Sequence, residues 1–292
     1  MKNTLQINYW TIGGFEGEKA PEQAIEEAAK MGFEGVELTF DGKEFGPGVT
    51  ETRCKEIKKA AKTLGMKIET LATGAYWGCS LSDPRDNVRK GAVAYTKEYL
   101  QAAKWIGAKT VLVVPGAVAI PWDANAKVVP YADAWKLSTQ SLRQCLPTAK
   151  KLGVTIALEN VWNWFLADPI AMRTFVDQFD TARLAVYFDV GNCCINGYPE
   201  HWIEVLGRRI KAIHLKNFTR EDCGGGLHGF GDDILEGAVD MKNIIRVLQK
   251  RKYTGPLTAE MIPFCRLPDL VLPDMDLAQD TATKLRKVMG KK

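Results

Sequence analysis

The 292-residue sequence predicts an α/β protein folded as one (β/α)₈ barrel. Three observations carry that expectation. A unit of amphipathic helix, glycine turn and short apolar run recurs along the chain, and eight such runs can be counted. Strict strand–helix alternation of this kind implies a parallel sheet with right-handed crossovers. No Gly-x-Gly-x-x-Gly follows the first run, as an open dinucleotide-binding sheet would require. Eight units in a chain of this length suit a closed barrel.

The elements follow in order. Residues 6–10 form the first apolar run, and residues 21–31 the first amphipathic helix, ended by Gly32 ahead of a strand at 36–38. Helix 50–63 ends at Gly65 before strand 67–71, helix 86–106 at Gly107 before strand 110–114, and helix 131–151 at Gly153 before strand 155–160. Glycine just past a helix end tolerates the left-handed conformation needed there. An apolar run of about five residues is how a fully buried parallel strand reads. Strands at 184–189, 210–214 and 256–261 follow helices 169–179, 200–207 and 239–250, and a helix at 276–289 closes the series. The spacing never resets and no Pro/Gly/Ser linker interrupts it, so residues 1–292 read as one catalytic domain.

Composition narrows the function. Hydrophobic residues make up 46% and charged residues 25%, ordinary for a soluble chain with a large core. A net charge of +4 is too small and dispersed for a nucleic-acid partner. No apolar run approaches the roughly 18 residues that span a bilayer, and the first residues lack the apolar stretch of a signal peptide. Seven scattered cysteines without a Cys-x-x-Cys pair argue against a disulfide framework or a structural zinc site. Reduced thiols and a cytoplasmic setting are expected.

Four of the last strands end in a residue able to bind a metal: Glu159, Asp189, His214 and Glu260. In such barrels the chemistry sits at the carboxyl ends of the strands. Neighbouring strands lie about 4.8 Å apart, and the closed sheet turns their ends toward a common axis. Each residue alone could cap a loop or pack. Four in succession, each after an apolar strand that cannot solvate a charge, point to a shared cation. Three oxygen donors and one imidazole suit one divalent metal, Mn²⁺ first, with Mg²⁺ or Co²⁺ as alternatives.

The segments Leu158-Glu159-Asn160, Phe188-Asp189-Val190-Gly191-Asn192, Ile213-His214-Leu215-Lys216-Asn217 and Thr258-Ala259-Glu260-Met261 carry a resemblance. They resemble the metal-binding strand ends of the sugar phosphate isomerase/epimerase superfamily, the xylose isomerase-like TIM barrels. The segment 235–240, around Gly237, resembles a loop these proteins carry before the last helix. The superfamily includes ketose and ketose-phosphate 3-epimerases, hydroxypyruvate isomerase and inosose dehydratases. The resemblance implies that Glu159, Asp189, His214 and Glu260 bind the metal. It also implies that Glu159 and Glu260 serve as base and acid in proton transfer beside a substrate carbonyl. Two positions depart from the free-ketose 3-epimerases. Asn192 stands where those enzymes place a histidine, and Phe165 where they place a glutamate. The Asp-x-Gly-Asn form at 189–192 is commoner in the phosphate-sugar relatives.

Several further residues are expected to contact substrate. Asn192 follows a ligand, and Lys216 and Arg266 are candidate anion contacts. Trp162 and Trp164 could stack on a sugar face or an aromatic aglycone, with Trp10 and Trp77 completing the wall. Glu37 is a candidate hydroxyl acceptor, and His228, at the end of the glycine-rich loop 221–228, a candidate proton-transfer group. His201 beside Trp202 reads as structural.

The leading expectation is a metal-dependent sugar or sugar-phosphate epimerase or isomerase with a small carbohydrate substrate, possessing by analogy a homo-oligomeric assembly. The alternative on the same site is a lyase: an inosose-type dehydratase, or an enzyme eliminating a group from an oxidised glycoside. An abasic-site endonuclease is disfavoured by the three histidines and the lack of a basic stripe. A non-catalytic barrel that keeps the metal for stability is the remaining reading.

Overall fold

The computed structural model describes residues 2–221 and 226–291. Eight parallel strands close on themselves in sequence order, β1 Leu5–Asn8, β2 Gly35–Thr39, β3 Thr70–Ala72, β4 Thr110–Val113, β5 Thr155–Glu159, β6 Leu184–Asp189, β7 Ile210–Leu215 and β8 Leu257–Ala259. The helices are α1 Tyr9–Gly13, α2 Pro21–Met31, α3 Glu51–Thr63, α4 Asp86–Ile106, α5 Tyr131–Leu152, α6 Pro169–Asp177, α7 Pro199–Leu206, α8 Met241–Lys250 and α9 Met275–Met289. Left-handed glycines stop α2, α4 and α5 at Gly32, Gly107 and Gly153, as the sequence leads one to expect.

One boundary differs in a way that matters. The first strand was expected to run to Trp10, but it stops at Asn8. The Asn8 side chain accepts from the Trp10 backbone N–H at 2.9 Å and so caps the short helix α1. Trp10 therefore sits on a helical turn over the barrel mouth.

Alternation along the strands sorts side chains into two layers. Leu158, Phe188, Ile213 and Leu257 face the helices and join the large outer core. Ala72, Leu112, Ala157, Tyr187 and Ala212 form a second, smaller cluster inside the barrel. Continuing the period of two from Ala157, Tyr187 and Ala212 brings Glu159, Asp189 and His214 inward at the next step. Thr258 and Glu260 follow the same rule from β8. Asp189 and His214 are direct register partners, as are His214 and Thr258. The barrel's own pleat thus aims Glu159, Asp189, His214 and Glu260, the four candidate ligands, at one point.

Among the described residues no helix is long and apolar enough to cross a membrane. The six cysteines among them are free thiols.

Candidate metal centre

Glu159, Asp189, His214 and Glu260 converge. One ligand atom from each lies within 4.8 Å of all the others, and all four residues are buried. His214 Nδ1 is 2.9 Å from Glu159 Oε1, 3.6 Å from Glu260 Oε1 and 3.7 Å from Asp189 Oδ2. The Lys216 ammonium lies 2.9 Å from Asp189 Oδ2 and donates to Glu260 Oε2. Asp189 Oδ2 is nonetheless buried without a properly oriented hydrogen bond. Lys216 offsets the charge on that oxygen but leaves it without a hydrogen-bond donor, so it remains able to serve as a ligand. Together with three oxygen donors and one imidazole nitrogen, it fits a hard divalent metal.

A buried layer beneath the ligands holds them in place. His214 Nε2 points away from the cluster and donates to Glu37 Oε1 at 2.6 Å. Glu37 also accepts from Asn8 Nδ2 at 2.8 Å and from the Tyr187 hydroxyl. Tyr187, Thr70, Thr258 and Gln6 continue this polar network down the barrel. The carboxylate fixes the ring so that Nδ1 faces the ligand cluster. Asn160 braces the next strand: its amide donates to the Asp189 carbonyl and its oxygen accepts from the Asp189 N–H, both at 2.9 Å. The Asn192 N–H donates to Asp189 Oδ1 at 2.7 Å.

The electrostatics follow from crowding four acids around two cations. Burial pushes the Glu159 carboxyl up to about 7, against the pull of His214 and aided by Glu260 and Asp189. Burial disfavours a charged His214, but Glu260, Tyr187, Glu37 and Asp189 outweigh it and lift the imidazole well above its ordinary value. Burial likewise opposes ionisation of Glu37 and Asp189. His214 overrides it at Glu37, and Lys216 with His214 at Asp189, leaving both below the usual carboxylate range.

The ligands open onto a cavity of about 520 Å³ at the carboxyl ends of the strands, with Glu159, Lys216 and Glu260 in its lining. Over residues 25–288 the chain matches the sequence family described as xylose isomerase-like TIM barrel. The chain belongs to this family. Among solved structures, D-psicose 3-epimerase with D-tagatose from Clostridium cellulolyticum H10 superposes with a TM-score of 0.80 at 20% identity, covering 98% of this chain and 99% of that one. The 3-keto-D-glucoside 4-epimerase from E. coli superposes with a TM-score of 0.73 at 16% identity, covering 98% of this chain and 100% of that one. Inosose dehydratase from Clostridium botulinum is 23% identical over 262 residues, covering 82% of this chain and 81% of its own.

Within this xylose isomerase-like barrel the substrate-contact expectations divide. Trp10, Trp77, Trp162, Asn192 and Lys216 line the cavity. Four expectations need correction. Glu37 is fully buried beneath His214, so it orients the His214 ring and does not line the cavity. Trp164 has a left-handed backbone (φ 58°) and is 57% exposed, turned away from the main cavity toward a neighbouring cleft. Arg266 is held outside the mouth by Asp232 at 3.0 Å and Asp274 at 2.7 Å. His228 is exposed, and its neighbour Leu227 turns into the cavity instead. Of the glycine-rich loop, residues 222–225 lie outside the described residues.

Sequence reasoning missed Asp41, Thr73, Trp122, Phe230 and Phe264, which also line the cavity. The available signal was the concentration of aromatics in segments that follow strands.

Proposed function

We propose that this chain is a divalent-metal-dependent epimerase or isomerase of a sugar-like carbonyl compound, with residues 1–292 acting as one catalytic domain. The observation that carries the reading is the buried convergence of Glu159, Asp189, His214 and Glu260 at the inner end of a ligand-sized cavity. A divalent cation held by those four residues would polarise a substrate carbonyl and acidify the adjacent C–H.

The chain's own residues supply the proton transfers. Glu159 comes from β5 and Glu260 follows β8, so the two carboxyl groups approach a bound substrate from separate strands. One carboxylate removes the proton from the carbon beside the carbonyl, and the electron pair moves onto the carbonyl oxygen. The other, as the acid, returns a proton to the opposite face. Without metal, burial raises the Glu159 carboxyl to about 7; a bound cation would hold it as the carboxylate, the form that acts as base. Lys216 balances the charge of Asp189 and Glu260.

Lys216 is the only cationic side chain among the described residues that line the cavity, and it is already paired. This favours an unphosphorylated substrate over a sugar phosphate. A lyase is the second reading, favoured by the inosose dehydratase relative and by the aromatic lining. It shares the first proton abstraction but then expels a β-leaving group.

The test incubates Mn²⁺-loaded protein with ketoses, keto-glycosides and inososes in D₂O and locates deuterium by NMR. Incorporation beside the carbonyl with unchanged mass, apart from deuterium, supports epimerisation or isomerisation. A product lighter by water, or a released aglycone, supports the lyase. Glu159→Gln and Glu260→Gln are each expected to abolish exchange, and full exchange in either defeats the two-glutamate assignment.

A further inference from the structure

The cavity changes character from its inner end to its mouth. Glu159 and Glu260 are 7% and 4% exposed, and with Lys216 and Asn192 they make a polar inner end. Around these groups and out to the mouth the lining is largely aromatic, with Trp162 and Phe230 buried beside Asn192 and Lys216. Trp10, Trp77, Trp122, Trp162, Phe230 and Phe264 come from the segments after β1, β3, β4, β5, β7 and β8, which is six of the eight strands.

These rings are set in place by their own contacts. Trp162 stacks on Phe230 with centroids 4.4 Å apart, and its indole N–H donates to the Asn192 carbonyl at 3.1 Å. Trp77 meets Trp122 edge to face at 4.6 Å. At the outermost edge, Trp122 is 48% and Phe15 45% exposed. Apart from Asp41 and Thr73 the collar offers hydroxyls few partners, so hydroxyls placed against its rings would lose water without replacement. A flat apolar group would bury area there and stack. The volume of about 520 Å³ falls within the roughly 300–1,000 Å³ of pockets that enclose drug-sized ligands.

We propose that the substrate is a sugar bearing an aromatic substituent: the sugar reaches the four ligands and the aryl group is held in the aromatic collar. This rests on the carbohydrate-enzyme reading above and names its substrate class. The occupant is part of a small molecule, because the collar is concave and continuous with the buried carboxylates.

The test compares naphthyl β-D-glucoside with methyl β-D-glucoside by isothermal titration calorimetry on the Mn²⁺-loaded full chain. The aryl compound is expected to bind at least tenfold tighter. Trp122→Ala, at a half-exposed rim position, should reduce the affinity ratio at least fivefold, and Phe15→Ala should reduce it in the same direction. Arg266→Ala, outside the cavity, should leave the ratio intact. Equal affinities, no binding of either probe, or a ratio unmoved by both rim variants would overturn the inference. So would a dimer that Trp122→Ala dissociates, with the two probes binding alike, since a second copy would then cover the collar. If the ratio holds while no sugar in the D₂O panel exchanges, the epimerase reading fails and the aryl site stands. If exchange occurs but the ratio is near one, only the aryl inference fails.

Discussion

Glu37→Gln is the sharpest perturbation of the metal centre, because it changes a charge without changing a shape. Glu37 touches neither the cavity nor the ligand point. It accepts from His214 Nε2 at 2.6 Å, from Asn8 at 2.8 Å and from the Tyr187 hydroxyl. A glutamine can still accept from His214 through its oxygen. Its amide then faces Tyr187, whose hydroxyl can rotate to accept and donate onward to Thr258 Oγ1 at 3.3 Å. The barrel therefore stays paired, and the loss of charge-assisted bonding is expected to cost folding about 1–3 kcal/mol. What the variant lacks is the anion that raises the basicity of the imidazole and fixes Nε2–H, so that Nδ1 is presented. Losing such a partner typically weakens metal binding ~10–100-fold, or about 1.4–2.8 kcal/mol. The assay is Mn²⁺ titration followed by the free-ion EPR signal, with circular dichroism to verify the fold. Wild-type Mn²⁺ affinity in a folded Glu37→Gln protein would refute the claim that this carboxylate sets the ligand geometry.

Three other outcomes follow from the same structure. Glu159, raised to about 7, holds a proton in the folded chain that the unfolded chain releases nearer its ordinary value, and His214 is also raised. Both contributions to metal-free stability are present at low pH and fade as pH rises, through 7 for Glu159 and through a still higher value for His214. Metal must displace those protons, so the Tm gain on adding Mn²⁺ over EDTA should be larger at pH 8 than at pH 6; an equal or reversed gain contradicts the assignment. Asn160→Ala strips both hydrogen bonds from the Asp189 backbone in a buried site and is expected to destabilise by about 2–4 kcal/mol in chemical denaturation. Gly237 has φ +131°, and a Cβ there would meet Asn217 Oδ1 at 2.4 Å and the Phe218 carbonyl at 2.9 Å. Gly237→Ala should therefore cost about 1–3 kcal/mol in the same assay and displace Asn217, which bonds Phe218, Ile234 and Val239.

The barrel was legible in the sequence because period and punctuation agree. Helices such as Pro21–Met31 and Asp86–Ile106 match their expected limits, and β6 matches at both ends. The convergence of the four candidate ligands was legible for a related reason: alternation along an apolar strand makes inward direction predictable, and strand order makes neighbours predictable. Loop side chains lack such a rule. Trp164 follows Trp162 by two residues, yet its positive φ turns it elsewhere. Arg266 was open to two readings, an anion contact or a solvated basic residue, and its pairing with Asp232, 34 residues away, and Asp274, eight away, holds it outside the mouth. Glu37 was placed at the right strand end with two readings open, a substrate hydroxyl or a salt bridge, and His214, which covers it, decides for the second. Trp122 lies in a long segment between β4 and α5 with no periodicity to direct it.

The most direct test locates the cation. Anomalous diffraction from crystals soaked in Mn²⁺ should show one strong peak among Glu159, Asp189, His214 Nδ1 and Glu260, with bonds of about 2.0–2.2 Å. A peak at another place in the barrel, or a folded protein that binds no Mn²⁺ at millimolar concentration, would contradict the account at its root.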